Sequence, residues 1–571
     1  MLCTAESCHT EVSQPKSNHR RGRAESVAHL AGFDEAATAH ATSQRRYASD
    51  TGVPRSTLQH WLKRRMSLDA SPGVVRFFES PEGVAFLHRL SIASHFVMGF
   101  VGPLGLRRVQ LLFSLAGVSR FIANSFGVHQ KLGHEMENLI RQFGQQEFER
   151  LASEMRPKAI SVCEDETFHP EICLVGIEPV SDFILLEKYV DRRDGKTWNE
   201  AMSQATKGLP VQIIQSTSDE GKGLLLHAKE GLGAHHSPDL FHVQQELSRA
   251  TSAPLGAQVR GAEKVLEKMK KTAHRAGPGQ VASRVETPCN SSASNTSPAA
   301  QETPPTQETQ KAEDALIQAR QRRERARRSN RKVGEVYHPV DLKTGALQSA
   351  DMLKERLEGH IDEIAQIARE ASLSEACHQR IEKARRVVPL MVATVAFFHR
   401  QVHERIEALG LPAAEAQKVE QSLVARAYLE RVAQKAATAE ARDELRERVA
   451  NAASNGSDDW LAKLAPQMQA RIKETIEECA DLFQRSSSCV EGRNGQLSLW
   501  HHSLHHLSGP RLEALTVIHN YSIRRRDGTT AAERFFGVKH AELFDWLLDH
   551  LDVPARPAKQ RARKAQEVLP N

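Results

Sequence analysis

Aromatic residues make up only 5% of this 571-residue chain. That is too few for base-stacking platforms to be its main theme. Cysteine is also sparse. Eight are scattered with no C-x-x-C pair, the pattern expected of reduced thiols in the cytosol. Long apolar runs are missing. The two longest stretches, Leu90–Leu106 and Val387–Phe398, are too short, or too broken by Ser, His, Gly and Pro, to be expected to span a bilayer. The first residues are polar, so no signal peptide is expected. A strong charge of one sign is lacking too, since the formal excess is only +6. Its placement matters more: basic residues gather at Arg45–Arg65, Arg320–Lys332, Arg524–Arg526 and Arg556–Lys564. Such blocks suit a polyanionic partner or a solvated surface.

Local patterns divide the chain. Residues 1–26 are polar and expected to be disordered. Residues 27–155 carry apolar positions at helical spacing. Between 156 and 245 short β-rich runs appear: "AISVC", "EICLVGIEPV", "DFILLEKYV" and "PVQIIQS". A helix over Thr197–Leu209 is expected before the last of them, an α/β order of strand, strand, strand, helix, strand. Residues 276–311 are rich in Ser, Thr, Pro and Gln and cannot build a core. Residues 350–480 are helical again. Leu353, Leu357, Ile361, Ile364 and Ile367 form one stripe, and Val395, Phe398, Val402 and Ile406 another. Helical segments are expected over 486–550 and a loose basic tail over 551–571.

"RRYASDTGVPRSTLQHWLKRR" (Arg45–Arg65) has the grammar of a helix-turn-helix. Ala48 is small where helices approach, Gly52 permits the turn, and Pro54 suits a first helical turn. Leu58, Trp61 and Leu62 point inward. Arg55, Ser56, Gln59, His60 and Lys63 then face outward, the residue types that contact DNA phosphates and base edges. A plain basic helical hairpin would share much of this pattern.

Acids stand at three informative places. Asp165 closes the first apolar run within the crowded Glu164-Asp165-Glu166, where like charges repel unless water or a cation offsets them. Asp219 follows the fourth run in "IIQSTSDEGKG", where a turn or cap role competes. Glu491 lies in "SSSCVEGRNGQL", where Ser488 and Glu491 could form a capping box. Glu491 and Asn494 share a helical face. Glu164 and Glu166 would alternate to the opposite side of a strand as supports.

Their order, with "PDLFHVQQEL" (Asp239 to His242), "VEGRN" and "HNYSIRRRDGTTAAERFFG", resembles the DDE insertion-sequence transposases of bacteria. The likeness covers about half the chain. It implies an α+β, mostly helical protein: an RNase H-like mixed sheet split into 156–245 and 486–550. A helical insertion (246–485) would separate the two parts, and an all-α DNA-binding region (27–155) would precede them. It implies Asp165, Asp219 and Glu491 as catalytic and metal-binding residues, with Asp239 as runner-up to Asp219. His242 and Asn494 would support them. Mg²⁺ would be the cofactor, with Mn²⁺ as an alternative, because hard ions prefer carboxylate oxygens and can activate a nucleophile on a phosphodiester. The partners implied are double-stranded DNA, as element ends and target, and further copies of the chain in a dimer or larger assembly. No membrane is implied, and the location would be the bacterial cytoplasm at the nucleoid. Arg493 and Arg524, Arg525 and Arg526 are expected to contact phosphates. His501 with His505, or His502 with His506, could hold zinc on a helix, although a surface or phosphate-contacting helix fits better. A non-catalytic, transposase-derived DNA-binding protein is the alternative reading.

Overall fold

The computed structural model describes residues 22–168, 170–275, 307–455, 459–504 and 506–558. The expected loop over 276–306, and His169 and His505, lie outside them. The chain forms two compact units, 153–496 and 1–152 with 497–571. The protein is mostly helical with a single mixed sheet.

The sheet belongs to the central unit. Its strands are β1 (Lys158–Phe168), β2 (Ile172–Glu178), β3 (Phe183–Val190), β4 (Val211–Ser218) and β5 (His235–Pro238). Their order is β3-β2-β1-β4-β5. β1, β2 and β3 pair antiparallel, while β4 lies parallel to β1 and β5 parallel to β4. The runs of buried residues in β1 and β2 mark a sheet covered on both faces. Gly176 in β2 lies under Met202, whose Cε a Cβ there would meet at 2.9 Å. The β2–β3 turn is fixed by Glu178, whose carboxylate accepts from the Val180 and Ser181 amides at 3.0 and 2.8 Å. The helix after β3 is Gly195–Ala205, two residues earlier than expected at its start. Asp194 supplies the cap, accepting from Thr197 N.

Two features of the sheet set up the site. β1 does not end at Asp165, as the apolar pattern suggested. It runs on to Phe168, because β2 pairs with it as far as Phe168↔Ile172. Pairing with β4 stops at Cys163↔Thr217, so beyond Cys163 the β4 side of β1 is open. The parallel strands β4 and β5 end immediately before Asp219 and Asp239. Carboxyl ends of parallel strands are where α/β sheets bind ligands.

From β5 the chain passes directly into helix Leu240–Arg275, so no boundary falls at 246. Helices Gln307–Val336, Ala350–Glu370 and Glu375–Glu407 follow. Residues 307–311 are thus helical and not part of a loop. The expected apolar stripes are buried in one large core with Tyr337, Tyr428 and Phe483, except Ile367, which packs with Leu255, Ala326 and Ala371 in a smaller cluster. Helix Glu375–Glu407 packs on β5: the His235 ring stacks on Phe397 at 4.5 Å, and His235 Nε2 meets Thr394 Oγ1 at 3.1 Å. An otherwise unpaired sheet edge is covered in this way.

The terminal unit is all helical apart from one isolated bridge. Its first helix is Arg23–His40, so 23–26 are ordered, with Arg23 and Ser26 buried. Helices Gln44–Thr51 and Arg55–Met66 flank Gly52, whose φ of 68° gives the left-handed turn. Leu30, Tyr47, Val53 and Leu58 form their shared core. One helical stretch, Pro81–Val101, is long and apolar enough to cross a membrane, and half of it is buried. Val84, Leu87, Ile92 and Phe96 enter the core, as in a core helix. The expected division at 486 falls elsewhere, since residues from 497 onward join this unit. The start of the tail is also anchored, with Arg556 paired to Glu79 at 2.6 Å.

Candidate active site

Asp165 projects from the overhanging half of β1. Its Oδ1 accepts from the Glu166 amide at 2.8 Å, and its Oδ2 from Asn494 Nδ2 at 3.1 Å. Asn494 lies one turn after Glu491 in helix Ser488–Leu504. Burial first, and then the charges of Glu491 and Asp219, raise the Asp165 carboxyl from 3.8 to about 7 against the pull of the Glu166 amide. Glu491 and Asp219 are therefore each within electrostatic reach of Asp165. They are not in ligand array: among the described residues no three His, Cys, Asp or Glu side chains form a metal-binding group.

The flanking acids are held on the other side of β1. Glu164 is fully buried; it accepts from the Ser216 hydroxyl and stands 3.0 Å from His227 Nε2. Glu166 binds Arg193 at 2.9 Å and Trp198 Nε1 at 3.1 Å, and the Trp198 ring stacks on His227. The crowding is thus resolved by alternation and by separate partners. Only Asp165 is left facing the open side.

Asp219 follows β4 and folds onto its own turn, with Oδ1 accepting from Gly221 N at 2.9 Å. Asp239 is committed elsewhere. It is 2% exposed and accepts from Phe241 N at 2.8 Å and Ser487 Oγ at 2.6 Å. Asp239 thus joins the end of β5 to the residue before the Glu491 helix. Leu240 N donates to Arg485 O at 2.9 Å, and Cys163 Sγ meets Ser486 O at 3.6 Å. These bonds lay residues 485–487 across the ends of β1 and β5, and so deliver Glu491 and Asn494. The expected capping box does not form around Ser488, which is the first helical residue. The preceding Ser487 spends its hydroxyl on Asp239, and its carbonyl accepts from the Glu491 amide. Among the described residues, two buried polar atoms here lack hydrogen-bond partners, Asn494 Oδ1 and His242 Nε2. The latter is 3.7 Å from Asp239 Oδ2.

A cavity of about 290 Å³ opens beside Asp219, lined by Glu220, Asp239, His242, Glu246 and Lys383 among others. Lys383 and Arg380 come from helix Glu375–Glu407 and pair with Glu246 at 3.1 and 2.8 Å. Burial raises the Glu220 carboxyl, Lys383 opposes the shift and Asp219 adds to it. Sequence reasoning missed Lys383 and Glu220. Nothing local marks a lysine some 160 positions from Asp219 as its neighbour.

Several expected phosphate contacts are corrected. Arg493 is 6% exposed and forks onto Glu187 of β3 at 2.7 and 2.6 Å, so it is a buried structural cation. Arg524 is engaged by Glu533, Glu542 and the Gly528 carbonyl. It lies with exposed Arg525 and Arg526 in the terminal unit. The His502–His506 pair does not form a helical i,i+4 site, because the helix ends at Leu504, before His506; the His501–His505 pair lies partly outside the described residues. In the helix-turn-helix, Arg55, Ser56, Gln59, His60 and Lys63 are all exposed. Arg65 instead holds Asp34 at 2.6 Å.

A family described as "Family of unknown function (DUF6399)" matches residues 419–563. The match is about a quarter of the chain; it includes Glu491 and Asn494 but neither Asp165 nor Asp219. No curated protein matches the chain.

Proposed function

We propose that the protein is a DDE-type transposase of the bacterial insertion-sequence kind, which cuts and joins DNA strands with Mg²⁺ or Mn²⁺. One observation carries the reading. Asp165 of β1 is hydrogen-bonded to Asn494, one turn from Glu491, although the residues are more than 300 positions apart, and Asp219 follows the adjacent strand. The strand order β3-β2-β1-β4-β5, with three antiparallel and two parallel members, supports an RNase H-like core. The exposed polar face of helix Arg55–Met66 supports a DNA partner.

By its chemistry, though not by its spacing in this structure, the donor set suits a hard divalent cation. Carboxylate oxygens of Asp165, Asp219 and Glu491 would hold it, and Asn494 Oδ1 is a buried acceptor without a partner among the described residues. Bound Mg²⁺ supplies charge stabilisation to a phosphodiester and to the attacking oxygen. The chain's own groups orient the site. Asn494 Nδ2 fixes the Asp165 carboxyl, the Asp239–Ser487 bond sets the helix that carries Glu491, and Gly221 N holds one oxygen of Asp219. With its pKa near 7, Asp165 must release a proton to act as a ligand.

The test is strand cleavage and joining on DNA carrying the sequences that flank the gene. Asp165→Ala should abolish both while DNA affinity stays unchanged. Persistent cutting by this variant would refute the assignment. Wild-type protein that binds DNA but never cuts it would favour a transposase-derived DNA-binding protein.

A further inference from the structure

The inserted helices carry a charged surface that the candidate site does not use. Helices Leu240–Arg275 and Gln307–Val336 form an antiparallel hairpin. Its polar rungs are Asn330 Nδ2 on Gln244 O (3.1 Å), Arg320 on Glu263 (2.8 Å) and Lys270 on Glu313 (3.0 Å). The rung at Gln244 lies within two turns of Asp239, so the hairpin rises from the strand ends that bear the acids.

Between Arg320 and Lys332 the second helix has eight cations and one acid, Glu324. Some are structural. Arg320 closes a rung, and Arg325 bridges Glu363 and Glu370 of the next helix at 3.5 and 3.1 Å. Others face solvent. Arg323, Arg327, Arg328 and Arg331 are exposed. Among the described residues Arg323, Arg328 and Arg331 have no carboxylate in ion-pair range, and Arg327 reaches Glu324 only at 4.0 Å. Steps of four residues place Arg323, Arg327 and Arg331 on one face, a row about 12 Å long at the helical rise. A solvated helix face normally mixes its signs. Here one acid, Glu324, is exposed beside the row, and the other acids near this helix segment are spent on the packed side.

We propose that this arginine row is a second contact to the phosphate backbone of duplex DNA, carried by the insertion and separate from the helix-turn-helix. The proposal rests on the DNA-processing reading above. Each guanidinium in contact with a phosphate displaces condensed counterion, and the salt dependence of affinity counts such contacts. Contacts to phosphates alone would add affinity without sequence preference.

The experiment measures the affinity of the full chain for a random-sequence duplex over a salt series. The variant is Arg323→Ala/Arg327→Ala/Arg331→Ala. The control, Lys354→Ala/Arg446→Ala/Lys473→Ala, removes the same charge from exposed positions elsewhere on the insertion. The slope of log affinity against log salt should fall by about 0.9 per lost contact, roughly 2.7 in all, in the first variant only. All substituted residues are exposed, and a matching thermal transition confirms folding. An unchanged slope, or an equal fall in the control, overturns the proposal and leaves the functional reading standing. An unchanged slope with lost binding to polyglutamate would assign the face to an acidic protein instead. Wild-type protein with no DNA affinity at any salt overturns both.

Discussion

Replacing Asp165 with Asn removes a charge that the folded protein holds under strain. Burial and the charges of Glu491 and Asp219 raise this carboxyl from 3.8 to about 7. An acid with a raised native pKa binds more protons folded than unfolded between those values, so stability falls as pH rises through that window. At about 1.4 kcal/mol per pH unit the full shift is worth about 4 kcal/mol, a ceiling reached above pH 7. The amide fits the same place. Oδ1 can still accept from Glu166 N, and Asn494, whose own Oδ1 has no partner among the described residues, can turn its amide to accept from the new NH₂. Asp165→Asn is therefore expected to stabilise the metal-free protein by about 2–4 kcal/mol at pH 8 and by almost nothing at pH 4. Urea unfolding across that pH range measures the difference. A variant less stable than wild type at pH 8, or a gain that does not change with pH, would refute the reasoning.

Other consequences follow from the same geometry. Arg493→Ala leaves the Glu187 carboxylate buried without its partner and should cost about 3–5 kcal/mol in urea unfolding. Arg493→Met with Glu187→Leu should recover most of that loss. Gly52→Ala meets no atom within 4 Å but must adopt a φ of 68°. A loss of about 1 kcal/mol is expected, smaller for Gly52→Asn, read as a lower thermal transition. Because Asp165 must lose a proton to bind a cation, Mg²⁺ affinity by calorimetry should rise with pH up to about 7 and then level off. A proton should be released in the lower range and not above it.

The fold was readable where the pattern is local. β-branched runs marked four strands, and the Gly52–Pro54 punctuation marked the turn between two helices. Apolar stripes marked the insertion's inward faces. Asp219 was placed correctly after its strand because "IIQSTS" is a compact run. What failed depended on distant partners. β1 extends past Asp165 only because β2 continues to pair with it, which the acids in "EDE" disguise. Arg493 reads as a free basic residue, yet its partner Glu187 lies 306 positions away. The competing "SSSCVE" cap pattern does not form, because Ser487 is drawn to Asp239 just after β5. Arg323 and Arg325 look alike in sequence, and only the packed helix Ala350–Glu370 separates a solvent-facing arginine from a buried-side one. Lys383 had no local signal at all.

The most direct measurement is Mn²⁺ binding to the full chain, followed by electron paramagnetic resonance at pH 8. Wild-type protein should take up the ion, and Asp165→Asn, Asp219→Asn and Glu491→Gln should each weaken uptake by at least tenfold while remaining folded. Undiminished binding by Glu491→Gln, or no binding by the wild type, would contradict a shared carboxylate site.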